Sequence, residues 1–580
     1  MAPLLTNEPP KTQNGTGQSQ PYIIREEPLG STRRLRIATI GAGISGLNMI
    51  RTLRKSMTNY EHVVYEKNPE VGGTWYENRY PGCQCDHPSH NYQFTWRPNP
   101  RWSQFSACAD EIQKYILDLC DDEDMRPEIK TSHQIIGARW KPDTSQWVLQ
   151  VKNLITGETL EDHCHFLLNA TGILNNWKWP DIPGLSDFTG DLVHSAAWSE
   201  GLEYQGKRVA VIGNGSSGVQ IVPAIQPDVQ HLVHFIRSPT WIAPPQTERM
   251  LKGASDAVLQ SAQMDGNLFK PEQMARFEKD PEYYRTFIKA TEEQVNARFR
   301  TMVNNDGLAD QLQKHLESHM ASVLRGNPEL IRAAIPTTFP AGCRRLTPGP
   351  GYLESLSAPN VRVVTESIRR VVPEGIELHS GEVVPLDIIV CATGFDVSFS
   401  PRFPIIGKDG CNLQDMWTQN LPAAYMSCAV TAMPNYFVFM GPNAPIGHGS
   451  VLSIAEQVAR YIVRMLTKCQ VEGIKTVVPK ADAVREFTEH THKFLPRTIW
   501  AGNCRSWYKN GTVDGPITAL HPGSRIHWFH MMEIFRPEDY EYEYYDKSNR
   551  FQFLGNGFSV RENGDNPTWY LDSLNDFSAI

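Results

Sequence analysis

Between Gly72 and His90 the chain reads GGTWYENRYPGCQCDHPSH, a short segment that carries two thiols, two imidazoles and two carboxylates. Three chemistries compete for it. As metal ligands, Cys83, Cys85, His87 and His90 are poorly spaced. Structural zinc sites separate paired cysteines by about two to four residues, whereas one residue separates these and nothing supplies the usual second pair at a distance. As a redox pair, cysteines one apart are badly placed for disulfide geometry, and the sequence holds no C-x-x-C. As the wall of a cofactor pocket the segment makes more sense. Gly72 and Gly73 let a ligand approach the backbone, Thr74 offers a hydrogen bond, and Trp75 and Tyr76 line an apolar space. Asp86, once buried, requires a cationic partner from elsewhere in the fold. A plainer alternative, aromatics as core and Asp86 as a turn cap, stays open at this level.

Two further stretches have the spacing for phosphate chemistry. RLRIATIGAGISGLNMIRTLRK is a β-rich run ending at Ile40, then Gly41, Gly43 and Gly46, then good helix formers; the next strand, HVVYEKN, ends at Glu66. The glycines allow a tight turn, close approach to a pyrophosphate and tight helix–strand packing, and Glu66 can accept from a ribose hydroxyl pair. A second copy, GKRVAVIGNGSSGVQIVPAI, carries Gly213, Asn214, Gly215, Ser216, Ser217 and Gly218, and its following strand, HLVHFIRS, ends in Arg237 and Ser238. An acid repels a 2′-phosphate, whereas a guanidinium pairs with it in a forked geometry. The first unit therefore suits FAD or NAD and the second NADPH. One glycine triplet alone is a weak signal; two in full strand–helix–strand context, with opposite charge at the ribose position, are a strong one.

The elements that must hold these residues predict an α/β fold with two dinucleotide-binding, Rossmann-like domains and a helical insertion. FLLNATGIL and DIIVCATGFD share an Ala-Thr-Gly ending, Ala170–Gly172 and Ala392–Gly394, which marks the crossings between domains. The predicted FAD-binding domain spans 31–185 and 386–580, the NADPH-binding domain 186–244 and 338–385, and the insertion, read from helical periodicity and charge, 245–337. Residues 1–30 are expected to form a disordered arm. A chain of 580 residues exceeds the ~250–300 at which a single core stops growing. Its net charge of −8 argues against nucleic acid as a partner. No run approaches the ~20 apolar residues of a membrane span, so stable membrane insertion is not expected. The N-terminal stretch lacks a signal peptide, so the eleven cysteines are expected as free thiols in a reducing, cytoplasmic setting.

From about Arg34 to the C-terminal region the chain resembles the Baeyer–Villiger-type flavin monooxygenases (class B flavoprotein monooxygenases). GGTWYENRYPGCQCD is similar to the family's G-G-x-W-x-x-x-x-Y-P-G-x-x-x-D. FTGDLVHSAAWS matches F-x-G-x-x-x-H-x-x-x-W through Phe188, Gly190, His194 and Trp198, with Ser199 where the family usually has Pro or Asp. AGCRRLTPGPGYLESLSAPNV is similar to the family's basic dipeptide before a strand. The Cys-Asp-His-Pro-Ser-His wording looks like fungal enzymes acting on natural-product ketones.

The resemblance implies FAD and NADPH as cofactors, with a ketone and dioxygen as substrates. It makes Arg345 the partner of Asp86 and the catalytic cation. Arg344 and Arg237 anchor the NADPH phosphate, Tyr92 flanks the flavin, and Trp507 lies near the nicotinamide. Glu77, Gln84 and Cys85 join Thr74, Trp75 and Tyr76 in the flavin pocket. His194 and Trp198 are assigned to domain coupling, and no metal is expected. The implied reaction is insertion of one oxygen atom beside a ketone carbonyl through a C4a-peroxyflavin, giving an ester or lactone. Two alternatives are a heteroatom (N or S) flavin monooxygenase and a non-catalytic nucleotide-binding protein.

Overall fold

Two five-stranded parallel sheets form around the two glycine-rich strands, each of which sits at the centre of its sheet. In the computed structural model, which describes residues 22–251, 254, 256–303, 307–564 and 566–573, the first sheet runs in the order Tyr436–Val438, Phe166–Asn169, Leu35–Ile40, Tyr60–Tyr65, Ile129–Lys130. The second runs Val361–Val364, His231–Phe235, Arg208–Ile212, Ile388–Cys391, Asp191–His194. The central strands read as near-continuous apolar runs because both faces are covered, as parallel sheets require. The helix Ile44–Ser56 follows the first glycine turn, and Met49 and Leu53 on it share a core with Ile454, Val458 and Ile462 of the helix Val451–Val471.

The two units repeat the contact at their first glycine. Gly41 (φ +102°) and Gly213 (φ +105°) both lie in a region that favours glycine. A Cβ on Gly41 would sit 2.8 Å from the carbonyl oxygen of Ala170, and one on Gly213 would sit 2.5 Å from that of Ala392. Each Ala-Thr-Gly turn therefore follows the strand beside its own glycine strand. This corrects one boundary. The strand Ile388–Cys391 pairs with Arg208–Ile212 and Asp191–His194 in the second sheet, so the return crossing lies beyond it and not at 386. Its alternate side chains enter two different cores, Ile388 and Val390 on one face and Ile389 and Cys391 on the other.

The insertion is helical, with Pro271–Lys279, Pro281–Ala297, Leu308–Val323 and Pro328–Ala334 as its longer helices. Proline opens three of them, and Asp280 and Asn327 cap two by accepting backbone N–H bonds. Of the arm expected to be disordered over 1–30, residues 1–21 lie outside the described residues. Its last part is ordered: Pro28 and Leu29 bridge to Gly555 and Ser559, so backbone pairing with the far end of the chain fixes it. The expectation of free thiols also fails at one place. Cys343 and Cys504, 161 residues apart, form a disulfide with a Cα–Cα distance of 6.3 Å. Sequence spacing could not reveal a pair that meets only through the fold. No helix among the described residues is long and apolar enough to cross a membrane.

Candidate active site

A cavity of about 500 Å³ opens where the first glycine turn, the Gly72–His90 segment and the second unit converge. Gly43 and Gly73 both line it. A Cβ on Gly73 would come within 3.1 Å of the Gly43 Cα, so two glycine loops make one cradle. Gly46 lies behind it, where a Cβ would sit 2.0 Å from the Gly41 carbonyl oxygen. Glu66, just past the strand Tyr60–Tyr65, also lines the cavity. One carboxylate oxygen accepts the Ala42 N–H at 2.8 Å and the other accepts the Asn68 N–H at 2.8 Å. Burial pushes its carboxyl above the ordinary value, and these two bonds oppose that rise.

Trp75 and Tyr92 meet edge to face at 5.5 Å, with the indole N–H donating to the Tyr92 hydroxyl at 3.2 Å. Thr74, Glu77, Gln84 and Cys85 also line the cavity. Glu77 is held by Lys67 at 2.7 Å, and burial pushes the Cys85 thiol far up, leaving it protonated and inert. Tyr76 does not join them. It faces a neighbouring recess, where the Arg79 guanidinium lies 4.3 Å from its ring centroid.

Asp86 and Arg345 meet as a forked pair, Nε to Oδ2 at 2.5 Å and Nη2 to Oδ1 at 2.8 Å. Nη1 of Arg345 donates to the Ile446 carbonyl at 3.2 Å. Both side chains line the cavity and keep about a quarter of their surface, 23% and 26%. Burial alone would raise the Asp86 carboxyl, but the Arg345 charge and hydrogen bonds outweigh it and hold it well below the usual carboxylate range. For Arg345, burial is likewise overcome by Asp86, so the guanidinium is charged at every working pH. The pairing expected of Asp86 and Arg345 is thus present in the fold.

The segment quoted at the start has a second task. His90 is buried among Phe269, Phe277, Tyr284 and Phe287, with ring centroids 4.8–5.4 Å away, and bonds the Tyr284 hydroxyl at 3.0 Å. It fastens the helical insertion. Gln246 donates to the Asp86 carbonyl at 2.7 Å, and Asn91 donates to Glu292 at 2.9 Å, from the same direction. Among the described residues no three His, Cys, Asp or Glu side chains gather as a metal site.

The second unit supplies the other side. Ser216 begins the helix Ser216–Ile225 and lines the cavity, and Asn214 donates to the Ser238 carbonyl at 2.9 Å. Gly218 repeats Gly46: a Cβ there would lie 2.0 Å from the Gly213 carbonyl oxygen. Gly215 has open space around it and caps the helix, and Ser217 follows in its first turn. Arg237 is exposed at the end of its strand. Arg344 lies over the Phe339 ring at 4.7 Å, and its buried Nε has no partner among the described residues. Burial lowers its pKa, and the charges of Arg237 and Arg505 lower it further. A cationic cluster with an orphan donor fits a phosphate. Sequence reasoning missed Arg505, although it stands two residues before Trp507, which itself lines the cavity. It also missed Gln246 and Tyr508, whose hydroxyl is in electrostatic contact with Arg345; neither carries a motif.

His194 lies between the two crossings. Its ring stacks on Trp177 at 4.6 Å, and its Nε2 is 3.3 Å from the Thr393 hydroxyl. Burial lowers its pKa to about 4.

Two parallel dinucleotide folds facing one cavity, with a partly buried arginine–aspartate fork on its wall, define a two-nucleotide oxidoreductase of the flavoprotein type. Residues 39–108 match the NAD(P)-binding Rossmann-like domain, and residues 100–253 match the flavin-binding monooxygenase-like family. The chain is 40% identical over 529 residues to the FAD-binding monooxygenase tazF of Aspergillus terreus, covering 90% of this chain and 92% of that one. It is 31% identical to a Baeyer–Villiger monooxygenase of Streptomyces coelicolor over 84% of this chain and 89% of the other. Among solved structures it is similar to cyclohexanone monooxygenase from Rhodococcus sp. Phi1 bound to NADP⁺, with a TM-score of 0.73 and 25% identity, over 89% of this chain and 100% of that one. The chain belongs to the flavin-binding monooxygenase family.

Proposed function

We propose that this protein is an FAD- and NADPH-dependent Baeyer–Villiger monooxygenase acting on a ketone of secondary metabolism. The observation that carries the reading is the Asp86–Arg345 fork, because it places a permanent cation on the wall of the cavity between the two dinucleotide folds. The overall change is balanced. Ketone, dioxygen, NADPH and a proton give ester, water and NADP⁺, with one oxygen atom inserted beside the carbonyl.

The residues fit both dinucleotides. Gly41, Gly43 and Gly73 leave room where a pyrophosphate would otherwise meet side chains, and Glu66 presents its carboxylate to a ribose. Arg237, Arg344 and Arg505 gather positive charge for a 2′-phosphate. FAD, when bound, supplies the activation of dioxygen. The chain's own contribution is electrostatic and steric. When the ketone carbonyl becomes tetrahedral, its oxygen gains negative charge, and Arg345 faces that charge from a cavity wall only partly open to water. One such fixed donor is worth about 3 kcal/mol. Asp86 and the Ile446 carbonyl hold the guanidinium in place, so it need not reorganise as charge develops. Trp75, Tyr92 and Trp507 exclude water.

A panel of cyclic and open-chain ketones under ¹⁸O-labelled dioxygen tests this. One labelled atom in an ester or lactone product is expected. Oxygenation of a thioether with no ester from any ketone would move the protein to the heteroatom monooxygenases.

A further inference from the structure

Nine cysteines are free and one pair is bridged, and the bridge is set between the two groups of residues that the proposed reaction depends on. Cys343 immediately precedes Arg344 and Arg345, while Cys504 immediately precedes Arg505 and stands three residues before Trp507. We propose that Cys343–Cys504 is a thiol-controlled positioning site that locks the 499–515 loop against the arginine pair and thereby sets the affinity for NADP⁺.

The two segments interlock before the bridge adds anything. A Cβ on Gly342 would sit 2.3 Å from Ile499 Cδ1, and one on Gly502 would sit 2.8 Å from Pro340 Cγ. The loop is also preformed. Lys509 donates to the carbonyls of Gly502 at 2.6 Å and Val513 at 2.5 Å, and Arg505 Nε donates to the Gly511 carbonyl at 2.7 Å. These bonds lie within the loop. They keep its shape without fixing where it sits, whereas the disulfide joins that shape covalently to the segment carrying Arg344 and Arg345. The loop delivers three side chains: Arg505 into the cationic cluster, Trp507 onto the cavity wall and Tyr508 beside Arg345. With the bridge open, part of the population holds the loop elsewhere, and NADP⁺ binding must bear the cost of ordering it.

The inference rests on the NADPH site of the proposed function, but not on ester formation. The chemistry is thiol–disulfide exchange. Two thiols and a low-molecular-weight disulfide give the bridge and two released thiols, the two electrons and two protons passing to the small disulfide; a dithiol reverses it. Both cysteines are buried, at 0% and 2% exposure, so exchange requires the segments to part. Linkage then makes the effect reciprocal: if the bridge tightens NADP⁺ binding, NADP⁺ protects the bridge.

The test uses the full-length flavoprotein equilibrated with glutathione disulfide and, separately, with dithiothreitol. Thiol titration after denaturation is expected to find nine thiols in the first sample and eleven in the second. Reduction should weaken NADP⁺ binding about fivefold, and bound NADP⁺ should slow thiol release by dithiothreitol. The Cys343→Ser/Cys504→Ser protein should bind like the reduced form and ignore dithiothreitol; if it does not fold, the reduced wild type carries the same comparison. Eleven thiols after glutathione disulfide, or one NADP⁺ affinity in both redox states, overturns the proposal. Bridge-dependent NADP⁺ affinity in a protein that makes no ester would leave it standing and remove the ketone reading instead.

Discussion

Arg345 is the side chain on which the proposed chemistry turns, and its neighbours say how it should fail. Arg345→Ala removes the cation and leaves Asp86 facing the cavity without its fork. Ester formation is expected to drop about 100- to 1,000-fold with flavin still bound, read as product yield per flavin. Asp86 needs no partner change with pH across the working range. Its folded pKa lies below the ordinary 3.8, so its contribution to stability is complete above that value and is lost only as pH falls beneath it. The pH–rate profile should therefore show no inflection from this pair at neutral pH. Arg344 separates from Arg345 by role. Its orphan Nε and its cationic neighbours predict that Arg344→Ala raises KM for NADPH about tenfold or more and leaves KM for NADH nearly unchanged. Steady-state kinetics with the two nucleotides check this, and equal changes for both would move the phosphate away from Arg344.

At the scale of elements, the two glycine turns are near copies, which allows a paired prediction. Gly46→Ala and Gly218→Ala each place a methyl 2.0 Å from a backbone oxygen, an overlap that costs about 3 kcal/mol. Gly46→Ala is expected to yield protein without yellow colour. Gly218→Ala should stay yellow and lose NADPH-driven flavin reduction; colour and stopped-flow absorbance distinguish the two. These turns were legible in the sequence because strand, glycine turn and helix are local features with fixed spacing. So was the charge swap from Glu66 to Arg237. The Asp86–Arg345 fork was legible only through family wording, since 259 residues separate its members. His90 was harder still. Its neighbours in the segment suggested a ligand, whereas its ring fills an aromatic cluster contributed by the insertion. Nothing in the spacing of Cys343 and Cys504 marked them as partners, and the shared Ala-Thr-Gly turns located both crossings while the strand before the second, Ile388–Cys391, carried no sign of which sheet it would join.

Across the whole molecule, burial has withdrawn an unusual set of imidazoles from water. It lowers His87, His90 and His521 to about 3 and His165, His194, His234 and His448 to about 4. They sit in different parts of the fold: His90 under the insertion, His194 between the crossings, His234 in the second sheet, and His448 donating to Val295 at 2.9 Å. Each stays neutral when folded but takes up a proton near pH 6.5 once the chain unfolds, so the unfolded state binds more protons as acid is added. Stability from these groups is therefore full above about pH 6.5 and falls as pH drops toward 4, by about 1.4 kcal/mol per pH unit for each imidazole that titrates fully. Glu66, Glu111 and Glu456, whose pKa values burial raises, act in the opposite sense, but they are fewer. The expected result is a steep loss of Tm between pH 6.5 and 5, with uptake of several protons on unfolding near pH 5.5 measured by calorimetry in buffers of different ionisation enthalpy. Because these histidines sit under the insertion, between the crossings and in the second sheet, the loss should appear as one transition. A flat Tm over that range would mean the imidazoles are solvated and the elements they join are looser than the packing around them implies.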